Sequence, residues 1–228
     1  MKRFPVFIQI WLLSFMVCAV VVRLSFAHVD LPIALHFWRV GWSLSRLSTA
    51  FGTAVILSLE SAVALSLILA RIVRGHISRF GEVLAIACLA SICTYGINSG
   101  VLKPFFGVPI PAEIMEGARH SFNFLKGSGN SSFPSGHMVL AGAFAGVFMS
   151  LCRASVWPLS TLLVLAAGLL VVGTWHFFSD VIAGTFVGVS AGILAGEAWT
   201  AHSKLPPESL QDTGSGLISR HDQRARKG

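Results

Sequence analysis

Six apolar runs, each about as long as a bilayer is thick, constrain this chain more than any other feature. They cover residues 5–27, 47–70, 83–102, 134–152, 156–175 and 176–201. A helix needs about 20 mostly apolar residues to cross the hydrocarbon core, and helices satisfy their own backbone there. The fifth and sixth runs nearly touch, so a tight turn has to part them around residues 173–178. Charged residues make up 12% of the chain, about half the ~25% of a soluble domain; a lipid-facing surface accounts for the deficit. The expectation is an all-α, six-helix transmembrane bundle over residues 1–202. A polar tail follows over 203–228, rich in Pro, Gly and charge, with too few apolar residues to order itself.

The first run starts after Met1-Lys2-Arg3 and ends in Ser25-Phe26-Ala27, a pattern that a signal peptide also shows. Its apolar stretch outlasts a usual signal core, and Arg23 precedes the cleavage point, so we read it as an uncleaved anchor. Orientation follows from positive charge. With a cytoplasmic N-terminus, eleven basic residues lie inside, including Arg71, Arg74, Arg79, Arg153 and those of the tail. Five lie in outer loops: Arg39, Arg46, Lys103, Arg119 and Lys126. This predicts a multi-pass protein of the cell (inner) membrane with both termini cytoplasmic and loops 28–46 and 103–133 outside. The first loop carries Phe37, Trp38 and Trp42 among Arg39 and Arg46, which reads as an interfacial amphipathic helix. A net charge of +7 does not point to nucleic acid, because the basic residues are scattered and no nucleic-acid motif accompanies them. Cys18, Cys88, Cys93 and Cys152 all sit in apolar runs and read as small core residues. No structural metal site is legible.

Three separated pieces meet on the outer face. The first leaves the third run as Lys103-Pro104-Phe105-Phe106-Gly107-Val108-Pro109-Ile110-Pro111; its lysine, taken alone, reads as an interface anchor that snorkels. The second, Ser131-Ser132-Phe133-Pro134-Ser135-Gly136-His137, opens the fourth run. Pro134 suits the first helical position and Ser132 a cap, while Gly136 lets an anion approach free backbone N–H groups. The third, Trp175-His176-Phe177-Phe178-Ser179-Asp180, opens the sixth run. His176 and Asp180 are four residues apart and share a helix face. A carboxylate on one imidazole nitrogen fixes the tautomer and leaves the other as a nucleophile. Gly184, Gly188, Gly192 and Gly196 continue that face as a small-residue ladder for close packing. Gly142 and Gly146 offer the matching step on the fourth run.

Pro-Ser-Gly-His followed about 40 residues later by His-x3-Asp, both at outer helix ends, resembles the type-2 phosphatidic acid phosphatase superfamily. The resemblance runs from about Lys103 to Gly188. It implies that His176 attacks phosphorus to form a phosphohistidine, oriented by Asp180, and that His137 protonates the leaving oxygen. Lys103, Ser135 and the Gly136 backbone would hold phosphate oxygens. It implies no metal and no cofactor.

Two departures stand out. The family's first motif, Lys-x6-Arg-Pro, has Ile110 at the arginine position, followed by Pro111 as expected. The third motif, Ser-Arg-x5-His-x3-Asp, has Leu169 and Leu170 at its first two positions. Each charge-assisted contact is worth ~1.5–3 kcal/mol, so a substitute cation is expected. Arg119, His120 and Lys126 are the loop cations available, and Arg119 is the candidate phosphate ligand among them. Three functions remain open. One is hydrolysis of a lipid phosphate or isoprenyl diphosphate at the outer leaflet. Another is transfer of a phosphoryl or phospho-headgroup to an alcohol, and the third is a non-catalytic lipid-binding relative.

Overall fold

The computed structural model describes residues 3–40 and 49–203; Trp42, Arg46 and the tail expected to be disordered lie outside the described residues. Nine α-helices are found among the described residues, with no strand. They are α1 (Arg3–His28), α2 (Asp30–Arg39), α3 (Thr49–Arg74), α4 (Arg79–Ile97), α5 (Lys103–Phe106), α6 (Pro111–Met115), α7 (Gly136–Leu151), α8 (Val156–Val172) and α9 (Phe178–Ser203). The segments built on α1, α3, α4, α8 and α9 are long and apolar enough to cross a membrane, and α7 is a shorter apolar helix of 16 residues. This is a helical bundle of a multi-pass membrane protein, close to the six spans expected.

The shortness of α7 has a local cause. Its cap is Ser135, whose Oγ accepts from the Met138 N–H at 3.4 Å, and not Ser132 as the sequence suggested. Ser132 is otherwise engaged: its N–H donates to the Val108 carbonyl at 2.7 Å, and its hydroxyl donates to Asp180. Residues 131–135 therefore form a buried non-helical turn, with Pro134 outside the helix, and α7 starts two residues late.

α7 and α9 pack face to face at the centre. A Cβ at Gly184 would meet the Ser135 carbonyl oxygen at 2.5 Å, and one at Gly188 would meet the Val139 oxygen at the same distance. A Cβ at Gly142 would sit 3.1 Å from the Val189 nitrogen. Side chains at these steps would wedge the two backbones apart. The small-residue ladder thus brings the first turns of the two helices together. α4 covers the other flank of α7 and α3 packs outside α4; α1 lies against α9, where Trp11 Nε1–H donates to Ser190 Oγ at 3.1 Å.

α4 does not end at its expected boundary. A π-helical turn, Asn98–Leu102, leads directly into α5, which stops at Gly107 in the left-handed region (φ +61°). Such π turns widen a helix locally and recur at functional sites. Here the turn carries Lys103 onto the bundle wall, where it is buried, so it is not a solvent-facing anchor. Cys93 is likewise on a different surface from that expected: it is exposed, while Cys88 is buried. The end carrying Lys103, His137 and His176 is opposite the one with Arg71, Arg79 and Arg153. At that other end Arg71 pairs with Glu82 at 3.3 Å, and the Arg79 guanidinium lies 5.1 Å over the Trp199 ring.

Candidate active site

The turn between α8 and α9 places the first histidine. Thr174 adopts φ +56°, an unusual conformation for a β-branched residue, and the N–H groups of Trp175 and His176 both turn back to the Leu170 carbonyl, at 3.0 and 3.3 Å. His176 lies in this turn, ahead of the helix, and not on the helix face that its spacing from Asp180 suggested. Asp180 reaches it by a capping geometry. It is the third residue of α9, and its Oδ2 accepts the Phe177 N–H at 2.8 Å, as an N3 carboxylate does in a capping box. The same oxygen lies 3.5 Å from His176 Nδ1 and accepts from the Ser132 hydroxyl. Ser132 Oγ is itself 3.4 Å from His176 Nδ1. One oxygen of Asp180 therefore gathers the helix start, the serine and the imidazole.

That arrangement fixes the imidazole. With Nδ1 turned to Asp180 and Ser132, the free nitrogen is Nε2, and it faces His137 Nδ1 at 3.4 Å. Burial pushes His176 below the usual imidazole range; Asp180 opposes that shift and Lys103 adds to it. A neutral ring keeps its Nε2 lone pair, as nucleophilic attack requires.

His137, the second residue of α7, is held from three sides. Its Nε2 is 3.1 Å from Thr53 Oγ1 on α3, its ring stacks against Trp175 at 6.0 Å, and its Nδ1 faces His176. The nearest nitrogens of the two rings, at 3.4 Å, are closer than the ~4–8 Å expected for groups flanking a phosphorus at hydrogen-bond reach. Admitting a phosphoryl group requires one ring to turn aside, and His137 is the less buried of the two.

A cavity of about 450 Å³ opens here, with Lys103, Gly136, His137, Thr174 and His176 in its wall. Tyr95 lines it as well and packs on the helix start, since a Cβ at Gly136 would fall 2.9 Å from the Tyr95 ring. Ser135 is buried and spends its hydroxyl on capping α7, while its N–H donates to the Asp180 carbonyl at 3.0 Å. That bond ties the first turn of α7 to the first turn of α9. Ile110, at the missing arginine of the first motif, also lines the cavity. Leu170, at the missing arginine of the third, is buried in the apolar core with Met138 and Val181.

The loop cations lie elsewhere. Arg119 and Lys126 are exposed, and neither lines the cavity; the outer loop reaches it through Gly129 and Asn130. Among the described residues Lys103 is the only lysine or arginine in the cavity wall. His120, expected as a cation, is stacked on Phe26 at 4.1 Å and meets the tilted Phe177 ring at 4.5 Å, and burial lowers its pKa. Thr53 and Asp30 carry no signal for this site in the sequence, and Ser132 reads there as a helix cap and not as a partner of Asp180. The partners of Ser132, Thr53 and Asp30 lie 48, 84 and 149 residues away.

A helical membrane bundle that presents two facing histidines, a backing carboxylate and a lysine at one end has the kinds of group that phosphoryl transfer uses. The PAP2 superfamily model matches residues 83–203, more than half of the chain, and the chain belongs to that family. No curated protein and no solved structure matches it. The family assignment brings phosphatase-type activity with it.

Proposed function

We propose that this protein is a membrane-embedded lipid phosphate or diphosphate phosphatase that works through a phosphohistidine. The observation that carries the reading is the line of groups from Asp180 Oδ2 through His176 to His137, with spacings of 3.5 and 3.4 Å. In the first step His176 Nε2 bonds to phosphorus, the ester P–O bond breaks, and His137 gives its proton to the departing oxygen. In the second, water attacks the phosphohistidine, His137 takes a proton from it, and the P–N bond breaks to release phosphate and neutral His176. Lys103 and the Gly136 N–H offset charge on the phosphoryl oxygens, the role that such donors play where charge develops. The excess of basic residues at the opposite end of the bundle supports a site on the outer face of the cell (inner) membrane, within reach of lipid headgroups.

A second reading, transfer of the phosphoryl or phospho-headgroup to an alcohol, draws on the cavity's charge. One lysine in the wall, with Glu113 also lining it, suits a singly charged phosphodiester better than a dianionic monoester. The test is phosphate release by purified protein from phosphatidic acid, an isoprenyl diphosphate and a phosphorylated glycolipid, with and without an acceptor alcohol. Labelled phosphate trapped on His176 by rapid quenching is the expected result. Release without labelling of His176 would overturn the mechanism, and new lipid formed only with the alcohol would select the second reading.

A further inference from the structure

The first turn of α9 is held by a carboxylate from outside the family-matched region. Asp30, the first residue of α2, is buried, and Oδ1 accepts the Ser179 N–H at 3.0 Å while Oδ2 accepts the Ser179 hydroxyl. Ser179 is the second residue of α9, so its N–H is one of those a helix start leaves without a partner inside the helix. Asp30 fills that need from another helix, as a cap supplied in trans, and its charge suits the positive end of the helix dipole.

Behind Asp30 stands His120, with Nε2 3.7 Å from Asp30 Oδ2. Its ring is sandwiched between Phe26, near the end of α1, and Phe177, the residue joining His176 to α9. Four of the five residues from His176 to Asp180 are thereby fixed by four outside groups. His176 meets Ser132, the Phe177 ring meets His120, Ser179 meets Asp30, and Asp180 meets Ser132 and the Ser135 N–H.

We propose that Asp30 and His120 are positioning residues for the reaction, setting the first turn of α9 and through it the reach of His176 Nε2. This rests on the reading of His176 as the nucleophile. Neither residue lines the cavity, so their effect passes through Ser179 and Phe177. A displacement of about 1 Å at a reacting centre costs on the order of 100-fold in rate, which is why a group behind the site matters.

The experiment compares full-length native protein with Asp30→Ala and Asp30→Asn in detergent, using phosphatidic acid and farnesyl diphosphate as probe substrates. Asp30→Ala is expected to lower kcat about 10- to 100-fold with KM changed less than about threefold, because the phosphate ligands stay in place. Asp30→Asn, which can still bond to Ser179, is expected to restore most of kcat. An Asp30→Ala protein with kcat within twofold of native overturns the proposal. Should Asp30→Ala fail to fold, Ser179→Ala removes one of the two bonds; a three- to tenfold lower kcat supports the proposal and an unchanged one overturns it. A second readout needs no turnover: the rate at which diethylpyrocarbonate modifies His176, read residue by residue by mass spectrometry. Faster modification in the alanine variant supports the proposal, and an unchanged rate overturns it even if kcat has fallen. If native protein hydrolyses neither probe, the phosphatase reading fails on these substrates while the modification rate still decides the positioning role.

Discussion

Two buried histidine–aspartate pairs flank the start of α9, and comparing them separates chemistry from scaffolding. His176 and Asp180 approach to 3.5 Å, His120 and Asp30 to 3.7 Å. Both carboxylates accept a backbone N–H from the same stretch, Asp180 from Phe177 and Asp30 from Ser179. Burial lowers the pKa of both histidines. What differs is the far nitrogen. In His176 the carboxylate holds Nδ1 and leaves Nε2 facing His137 at the cavity, whereas in His120 it is Nε2 that meets the carboxylate, while the ring is closed in by Phe26 and Phe177. A buried His–Asp pair is thus not by itself a nucleophile; it needs an opposing nitrogen that reaches the substrate.

The largest effect that would sharpen this contrast is loss of His176, the proposed nucleophile. His176→Gln is expected to lower kcat by at least about a thousandfold, in line with the loss of other essential nucleophiles, whereas His120→Gln should cost no more than about tenfold. Phosphate release by purified variants in one detergent decides the matter. Equal losses at the two positions would mean that the two pairs do not differ in role.

The two vacant arginine positions form a second, smaller contrast. Ile110 lines the cavity and Leu170 sits in the core. Ile110→Arg should therefore add a phosphate contact and raise kcat/KM by about tenfold, the equivalent of a charge-assisted hydrogen bond of ~1.5 kcal/mol. Leu170→Arg should instead reduce the yield of folded protein, since it places a charge among Met138, Leu163 and Val181. Kinetics of the first variant and the elution profile of the second are the measurements. A folded, active Leu170→Arg protein would show that this turn is more open than its packing indicates.

Smaller still is the effect expected at the outer loop. Arg119 and Lys126 are exposed and away from the cavity wall, so Arg119→Ala and Lys126→Ala should each leave kcat/KM within about twofold, the range of exposed charges. A tenfold loss in either variant would place that cation on the substrate after all.

These contrasts also mark how far the sequence reaches. Apolar run length locates the spans, and the glycine ladder from Gly184 to Gly196 identifies the face of α9 that meets α7. The pairing of His176 with Asp180 is legible from spacing, but its cause is not, because a turn stabilised by Thr174 and the Leu170 carbonyl replaces the helix that the spacing assumes. Ser132 illustrates the same limit: a serine before a helix reads as its cap, and only a partner 48 residues onward reveals another use. Asp30 leaves still less signal, since a lone acidic residue after an apolar run gives no hint of a helix start 149 residues away.

A final prediction, read in stability and not in rate, tests whether the Asp30 carboxyl is buried. Burial raises the Asp30 carboxyl from 3.8 to about 6, against the lowering effect of its hydrogen bonds to Ser179. Between roughly pH 4 and 6 the folded state therefore holds more of this proton than the unfolded state does. Stability from this group is fully present below the unfolded value and is lost as pH rises through the folded one. His120 acts with the opposite sign: its pKa is lowered, so its contribution is lost as pH falls below the ordinary 6.5. Asp30→Asn removes the first slope and retains the second. Native protein should therefore lose stability relative to Asp30→Asn by about 1–2 kcal/mol between pH 4 and pH 7, a shift of a few degrees in Tm. Thermal melts of the two proteins across that range measure it directly. Parallel curves would mean that the Asp30 carboxyl is as well solvated in the folded chain as in the unfolded one, and that its bonds to Ser179 do not bury it.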